Sequence, residues 1–480
     1  MSRRDLLARS AFVLGSAALP FARLRAQAVS PLMATLSGYM AAARDRGLPP
    51  EVVEKAKHHI LDTFAAMVSG SELPPGQAAL RLARAQAGRP VSTVVGSSVV
   101  TGPMDAALAN GVLAHADETD DSHGPSQSHP GASIVPAALA LGEDLGVSGE
   151  HLLRAVTLGY DVGPRLTMAL GGVTFRDESR RSTHAFAGNF GSAAAAGCVA
   201  GLTAQQMRWL LDYASQQAAG YAVWGRDTDH IEKAFVFGGM PARNGVTAAL
   251  LVRSGWNGVD DVFSGTDNFF LVNAPKGNPA VLVDRLGEHY EVVNADIKKW
   301  TVGTPIQAPL DAVENLRRKR PFDADDVKGV VVRLAPSVGA VVDNRDIPDI
   351  CLQHMVAVML IDKTASFHAA HDKARMQDPT VLRQRSKVQY VPDATLTPLL
   401  PARVAIVEIT LADGTVLSDR VEAVRGTVRN PMPRGEVVDK ARDLIAPVLG
   451  TATGQKLVDA LLAIDTIKDI RTLRPLLQKG

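Results

Sequence analysis

Residues 115–132, HADETDDSHGPSQSHPGA, concentrate groups that can move protons. The stretch holds four carboxylates and three histidines in eighteen residues, within a sequence otherwise rich in alanine and leucine. Histidine titrates near neutral pH, and a neighbouring carboxylate can orient its ring or stabilise its charged form. Such a set favours general acid–base catalysis. A solvated acidic helix end with charge-paired histidines would explain the same composition without catalysis.

Two later stretches carry groups that could bind an anion. RRSTHAFAGNFGSAAAAG places Ser182, Thr183 and His184 just before a predicted helix, and the first turn of a helix has free amide donors. HIEKAFVFGGMPARNG carries Lys233 ahead of a predicted Gly-Gly turn. A lysine ammonium is a compact cation that suits a carboxylate. Taken alone, His184 could be a cap or core histidine, and Lys233 a solvated surface residue.

The elements around these stretches are predicted to be helices. Apolar residues recur three and four positions apart through residues 31–296, for instance in VVEKAKHHILDTFAAMV. Thr203 and Gln206 form a capping-box pattern, and Ser148 is a predicted N-cap. DSHGP and HPG interrupt the helical pattern. The groups of the first stretch are therefore expected on a helix end and an irregular loop.

The pattern changes over residues 297–430. Valine-rich segments of alternating polarity, such as VKGVVVRLAP and ARVAIVEITLADGTVLSDRVE, predict strands, and the Asp-Gly pair in the second predicts a hairpin turn. CLQHMVAVMLIDKTASF predicts a helix. The tail, 431–480, returns to a helical pattern broken at Gly450 and Gly454. We therefore predict a mainly α fold, in which a smaller α+β lid domain (297–430) is inserted into a large all-helical domain (31–296 and 431–480).

Composition excludes some classes of partner. The chain has 51 basic and 50 acidic residues, a formal net charge of +1, and only 5% aromatic residues. Neither a basic surface nor a stacking platform for bases is expected, so no nucleic-acid partner is predicted. The two cysteines, Cys198 and Cys351, lie far apart and outside any metal-ligand spacing. We expect both to be buried apolar residues.

The N-terminal residues predict export. A pair of arginines precedes an apolar stretch and then Ala26-Gln27-Ala28, the order of a signal peptide with its cleavage site. The Ser-Arg-Arg-x-Leu-Leu order is similar to a twin-arginine signal. We predict that residues 1–28 are such a signal and that the mature protein is periplasmic, with no membrane attachment after cleavage. The alternative is an N-terminal helix that stays attached.

Four stretches taken together resemble the MmgE/PrpD family. They are HADETDDSH with its later SHP, the hydroxyl and histidine residues before GNFGSAAAAG, then EKAFVFGGMPARNG, and IKKWTVGTPIQAPLDA. That family includes 2-methylcitrate dehydratase, cis-aconitate decarboxylase and iminodisuccinate epimerase. The resemblance covers nearly all of the chain after the signal. It implies a large helical domain, a smaller α+β lid, a homodimer, no cofactor, and a metal-free site between the domains.

The resemblance also implies site residues. The matching positions are Glu118, Asp120, Asp121, Ser122, His129 and Lys233, with Lys298 or Lys299 as a second lysine. Where the family usually has histidines, this chain has Ser182, Val236 and Gln307, although His184 follows two residues after the first of these. These departures favour a substrate other than methylcitrate or cis-aconitate.

The family activities share an enolate-like anion beside a carboxylate or imine, formed by loss of a proton or of CO₂. That chemistry needs a base near neutral pKa and fixed cations where negative charge grows. We expect His129 or His123 to be the base. Glu118 or Asp121 would orient a histidine or protonate a departing hydroxyl group. The cations and other substrate contacts are predicted to be Lys233, Lys298, Lys299, Ser122, Ser182, His184 and Gln307.

The sequence therefore predicts a metal-independent lyase or isomerase that acts next to a carboxylate in a small di- or tricarboxylic acid. Dehydration is the first expectation, and decarboxylation or epimerisation could use the same groups. One alternative is a non-catalytic exported polycarboxylate-binding protein, which would have no need of bases beside its cations. The other is a magnesium-dependent diphosphate lyase using Asp117 to Asp121, although no second acidic motif accompanies that run.

Overall fold

The computed structural model describes residues 28–479. The predicted export signal lies outside the described residues, apart from Ala28. The described chain is mainly helical, as predicted, with a four-stranded sheet in its second half and a two-residue ribbon in its first.

The helical body comes first along the chain. Its helices are α1 (Pro31–Ala42), α2 (Pro50–Gly70), α3 (Pro74–Ala85), α4 (Pro103–Ala114), α5 (Gly131–Leu145), α6 (Gly149–Leu170), α7 (Val173–Ser179), α8 (Thr183–Val199), α9 (Ala204–Gln216), α10 (Ile231–Ala234), α11 (Met240–Arg253) and α12 (Phe269–Asn273). Strands β1 (Ser92–Thr93) and β2 (Val100–Thr101) pair antiparallel within this body, so it is not purely helical.

Local sequence signals set several of these helix ends. The Thr203 side chain accepts a bond from the amide of Gln206, and the Gln206 side chain accepts one from the amide of Thr203, which confirms the capping box of α9. Ser148 accepts a bond from the amide of His151 and so confirms the N-cap of α6. Between α4 and α5, residues 115–130 form the expected irregular loop.

Glycines allow the central helices to approach closely. A Cβ on Gly163 of α6 would lie 2.3 Å from the carbonyl oxygen of Ala187 in α8. Gly238 approaches Gly111 of α4 in the same way. The expected Gly-Gly turn at this position is wrong, because Phe235–Gly239 form a π-helical turn that joins α10 to α11. This turn fixes where Lys233 lies.

Residues 300–424 have a hydrophobic core of their own. The elements of this unit are α13 (Thr304–Lys319), β3 (Val327–Leu334), α14 (Pro336–Gly339), α15 (Leu352–Asp362), α16 (Phe367–His371), α17 (Pro379–Arg385), β4 (Val388–Pro392), β5 (Ala405–Leu411) and β6 (Val416–Val421). The sheet order is β4-β3-β5-β6, in which β3 runs parallel to β4 and antiparallel to β5. The Asp-Gly turn joins β5 to β6 as predicted, whereas the predicted helix at 351–367 ends at Asp362.

The tail returns to the helical body through α18 (Arg434–Leu449), α19 (Thr451–Leu462) and α20 (Arg474–Leu477). Its apolar residues join the same core as α1 to α12, and Lys440 of α18 forms a 2.6 Å ion pair with Asp62 of α2. The predicted break at Gly450 is confirmed, but the one at Gly454 is wrong because Gly454 lies inside α19. That the α+β unit is an inserted domain acting as a lid stays a prediction.

Within residues 28–479, one helical stretch, Ile231–Arg253, is long and apolar enough to cross a membrane by length and composition. Its most apolar window is 67% buried inside the fold, where it packs against α4 and α8. A core helix passes the same test. Cys198 and Cys351 are both buried and unpaired, as expected.

Replacing Gly238 with alanine should lower the free energy of unfolding. The new Cβ would lie 1.9 Å from the carbonyl oxygen of Gly111, which is backbone and cannot rotate away. Such overpacking costs about 1–3 kcal/mol, more than the about 0.5–1 kcal/mol gained by removing a glycine from a helix. Gly435→Ala, in the first turn of α18, is the matched control because a Cβ there meets nothing within 4 Å in the described chain. Urea unfolding midpoints measure the stability of both variants. A midpoint for Gly238→Ala equal to that of the wild type would contradict this packing.

Candidate active site

The acidic loop between α4 and α5 is buried. Asp117 is 4% exposed, Glu118 6% and Asp120 0%. Burying an unpaired carboxylate is strongly unfavourable, so each of these groups must find a cation or several hydrogen-bond donors. A solvated acidic helix end is therefore excluded as the explanation of this stretch.

Two lysines from separate elements meet at Glu118. The Lys233 ammonium forms an ion pair with the Glu118 carboxylate. Lys298 Nζ donates to the Glu118 carbonyl oxygen at 2.8 Å and lies 3.7 Å from its Oε2 and 3.6 Å from Asp120 Oδ1. Burial raises the pKa of Glu118, but the two lysines outweigh burial and hold it well below its usual value. Glu118 is therefore ionised and is held by two cations.

Asp120 holds two histidines. His115 Nδ1 lies 2.9 Å from one of its carboxylate oxygens, and His129 Nδ1 lies 3.1 Å from the other. Burial raises the pKa of Asp120, but its contacts with these histidines and with the Lys298 ammonium outweigh burial and hold it well below its usual value. A carboxylate that accepts Nδ1–H leaves the lone pair of a neutral imidazole on Nε2. His129 is thus oriented to exchange a proton through Nε2.

An aromatic wall closes one side of the cluster. The Phe237 ring stacks on His184 at 3.8 Å and on His115 at 4.6 Å between centroids. Lys233 Nζ lies 5.3 Å from the centroid of Phe237 and 5.5 Å from that of Trp224. These rings leave the lysine and histidines little water, which strengthens their interactions with a bound anion.

His184 reaches the cluster from the first turn of α8. Its ring lies 5.2 Å from that of His129, and burial holds the pKa of His184 well below its usual value. Ser182 does not enter the cluster, because it is the N-cap of α8 and its hydroxyl accepts a bond from the amide of Ala185. The expectation that His184 precedes the helix is wrong, because α8 begins at Thr183 and includes His184 in its first turn.

The α+β unit contributes a cation as well. His371 Nε2 lies 2.9 Å from Asp117 Oδ2, and His371 Nδ1 donates to the carbonyl oxygen of Phe367 at 2.7 Å. With an acceptor at each nitrogen, the ring is protonated. Burial lowers the pKa of His371, but Asp117 outweighs it and raises the value to about 9. Burial raises the pKa of the neighbouring Asp349 to about 7.

Four of the expected residues have other partners. Lys299 Nζ lies 2.6 Å from Glu314. Gln307 bonds the backbone of Trp300 and Val302, and the backbone of Ser122 pairs with Asp296. Of the two adjacent lysines, Lys298 is the one that reaches the cluster. Of the substrate contacts expected from the sequence, those that the structure does not bring to it are Ser122, Ser182, Lys299 and Gln307.

Asp121 and His123 lie on the other side of the loop. Asp121 accepts bonds from Tyr160 at 2.5 Å and from the amide of Gly131 at 3.0 Å, and lies 2.8 Å from His59 Nδ1. Both ring nitrogens of His123 have neighbours, Ser126 at 2.8 Å and Glu291 at 3.3 Å. These contacts anchor the loop, so the geometry favours His129 over His123 as the base.

Sequence reasoning missed several members of the cluster. His115 lies in the stretch already singled out, three residues before Glu118, and this spacing could have identified it. His230, three residues before Lys233, could have been found in the same way. His371 gave no signal, because it lies in a five-residue helix far along the chain from the stretches already singled out. One ligand atom each of His115, Asp120 and His129, or of His115, Glu118 and His230, lie within 4.8 Å of one another and could hold a metal ion.

The His371 ion pair should make stability depend on pH. Its folded pKa of about 9 lies above the value of about 6.5 expected in the unfolded chain. The stabilisation is therefore complete below pH 6.5 and is lost as pH rises through 9. In the wild type the unfolding midpoint should fall between pH 6.5 and 9. This fall should be smaller in His371→Gln and unchanged in His368→Gln, a control at an exposed residue of the same helix. Parallel pH curves for the wild type and His371→Gln would contradict the ion pair.

Comparisons with known proteins show the family to which this chain belongs. The MmgE/PrpD N-terminal domain matches residues 34–281, and the MmgE/PrpD C-terminal domain matches residues 300–465. A cis-aconitate decarboxylase of Aspergillus terreus is 26% identical, over 90% of this chain and 92% of that protein. The human cis-aconitate decarboxylase is 27% identical, over 90% and 91%, and the mouse one 25%, over 89% of each. With both domains matched in order, this chain belongs to the MmgE/PrpD family.

Proposed function

We propose that this protein is a lyase that acts on a small tricarboxylic acid, with decarboxylation as the first reaction to test. The observation that carries the proposal is the meeting of Lys233 and Lys298 beside the Asp120–His129 pair. It combines fixed cations for carboxylates with an oriented proton carrier. The three relatives described above are named cis-aconitate decarboxylases, which supports the same class of reaction and substrate.

Substrate binding exchanges one set of ion pairs for another. Without substrate, Glu118 occupies the ammonium of Lys233 and part of that of Lys298. A polycarboxylate offers competing anionic oxygens, and Lys233, which is 18% exposed at its side chain, can turn towards them. The site thus keeps its cations paired at every stage, which limits the cost of burying them.

The reaction we propose breaks a carbon–carbon bond to a carboxylate. CO₂ leaves, and the electron pair of the broken bond moves into the remaining conjugated carboxylate, whose oxygens gain negative charge. Lys298 and Lys233 stabilise that charge. A proton that His129 has taken from water at Nε2 is then delivered to carbon, and Asp120 holds the ring and stabilises its charged form, as carboxylates do for catalytic histidines.

Dehydration would use the same residues in another order. His129 would remove a proton next to a carboxylate, and a hydroxyl group on the neighbouring carbon would leave as water. This was the first expectation from the sequence and stays a prediction. Another expectation also stays a prediction: the absence of histidine at positions 182, 236 and 307 disfavours cis-aconitate and methylcitrate as substrates. His184, however, does lie in the cluster.

The other readings have less support. A magnesium site for a diphosphate needs several free oxygen ligands and bound water, whereas Glu118 and Asp120 are already held by lysines and histidines. A polycarboxylate-binding protein would not need His129 held by Asp120.

We also propose that the protein is a periplasmic homodimer. The exposed apolar residues that suit a second copy flank Lys233 along the chain and are Tyr221, Val223, Ile231 and Phe235.

The function is tested by incubating the mature protein in D₂O with cis-aconitate, methylcitrate, citrate and iminodisuccinate, with and without EDTA, and following products by NMR. CO₂ loss with deuterium on carbon, unchanged by EDTA, supports metal-independent decarboxylation, and water loss supports dehydration. His129→Ala should reduce turnover about 10²–10⁴-fold without changing the unfolding midpoint. Binding without turnover of any acid would favour the binding protein.

Lys298 and Lys299 offer a matched pair of variants. Lys298→Met should reduce kcat/KM about 10²–10³-fold, because it removes a cation from the developing negative charge. Lys299→Met should stay within about twofold, because this lysine pairs with Glu314 outside the cluster. Steady-state kinetics on the best substrate of the panel measures both. Equal losses in the two variants would contradict the assignment of Lys298.

A further inference from the structure

Several histidine nitrogens in the cluster are buried without a hydrogen bond, and two of them belong to histidines beside Glu118. Among the described residues, His115 Nε2 and His230 Nε2 both lack a partner. Asp120 already holds Nδ1 of His115 at 2.9 Å, so Nε2 is the nitrogen this ring has left to offer. The two ring centroids lie 5.1 Å apart. Buried polar atoms are nearly always satisfied, so such a pair calls for an explanation.

Glu118 completes a ligand set with these rings. One ligand atom each of His115, Glu118 and His230 lie within 4.8 Å of one another. The ammonium of Lys233 is paired with the same carboxylate and lies beside the rings of Phe237 and Trp224. The carboxylate that would bind a metal is therefore one that already pairs with a cation.

We propose that His115, His230 and Glu118 bind one divalent transition-metal ion, such as zinc, in competition with the Lys233–Glu118 ion pair. Binding of the metal frees the lysine from the carboxylate, and breaking the metal bonds lets the lysine return. If Lys233 binds substrate as proposed above, the metal is then an inhibitor and not a cofactor.

The chemistry of the three groups favours a metal over a substrate carboxylate. Glu118 is ionised and would repel a second carboxylate placed between the rings. Asp120 holds Nδ1 of His115, and Nε2 of both rings has no hydrogen-bond partner among the described residues, so each ring has a nitrogen to offer a metal. Two imidazoles and one carboxylate suit zinc, cobalt or nickel, whereas magnesium prefers an all-oxygen set.

One local movement would assemble the site. Metal–ligand bonds of about 2.0–2.2 Å require ligand atoms roughly 3–3.5 Å apart, so the three groups must move closer together. His230 precedes α10, with a left-handed backbone φ of 63°, and Lys233 lies three residues later within that helix. A shift of this short segment can bring the ring inwards while the lysine turns out to solvent.

The second possible set is less suited to a metal. Asp120 is already bonded to His115 and His129 through the Nδ1 atoms, and Lys298 Nζ lies 3.6 Å from its Oδ1. A metal there would have to break both hydrogen bonds and approach a buried lysine that is only 3% exposed. Variants of His129 therefore distinguish this set from the proposed one.

The test uses tag-free mature protein treated with EDTA and then dialysed. Co²⁺ is titrated in while its visible absorption is followed, and Zn²⁺ binding is measured by calorimetry. We expect one ion per chain. His230→Gln and Glu118→Gln should each weaken binding at least tenfold, whereas Lys233→Met should strengthen it several-fold because the competing ammonium is gone. Lys299→Met is the matched lysine control and should bind as the wild type does.

Three results would overturn the proposal. The first is that the wild type does not bind one ion per chain, and the second is that Lys233→Met binds the metal more weakly than the wild type. The third is that His129→Gln loses metal binding while His230→Gln keeps it. Circular dichroism checks that each variant is folded, and Lys233→Met gives an answer even where a histidine variant does not fold. Because binding is measured without substrate, the outcome does not depend on whether the lyase activity is found.

Discussion

The burial of three carboxylates on one loop is the constraint on which the rest of the site depends. Asp117, Glu118 and Asp120 are all but inaccessible to water, and each carries a charge that the interior would not accept alone. Their cations come from distant parts of the chain. His371 faces Asp117, Lys233 faces Glu118, and Lys298 lies between Glu118 and Asp120. The fold must bring these segments together before the loop can be buried.

The carboxylates of this loop have two roles, which depend on the direction in which each side chain points. Some contact the cluster, and one anchors the loop. Glu118 and Asp120 face lysines that can also pair with a bound carboxylate and histidines that can exchange a proton. Asp121 faces inwards, where Tyr160, His59 and the first turn of α5 hold it. Adjacent aspartates therefore have different environments, and only one of them is placed to orient a histidine of the site. The contacts of Asp121 make the loop a rigid support for its neighbours.

Close helix packing supplies the positions of the facing groups. The π-helical turn at Phe235–Gly239 runs against α4 through Gly111 and Gly238, and it sets Phe237 against the rings of His115 and His184. Lys233 precedes this turn by less than one helical turn. The α+β unit adds Lys298 from its boundary with the helical body and His371 from α16. The cluster is thus shared by the two parts of the molecule.

The sequence by itself determined the local features. Helix caps at Ser148 and Thr203, the loop at 115–130, the Asp-Gly hairpin and the mainly α class all follow from short-range patterns. It also singled out Glu118, His129 and Lys233, which the structure brings together, and it left open the choice between Lys298 and Lys299. Only the tertiary structure decided that choice, because adjacent side chains on a loop point in different directions that depend on what packs around them. It alone placed His371 beside Asp117, since a contact across more than two hundred residues leaves no periodic trace in a single sequence.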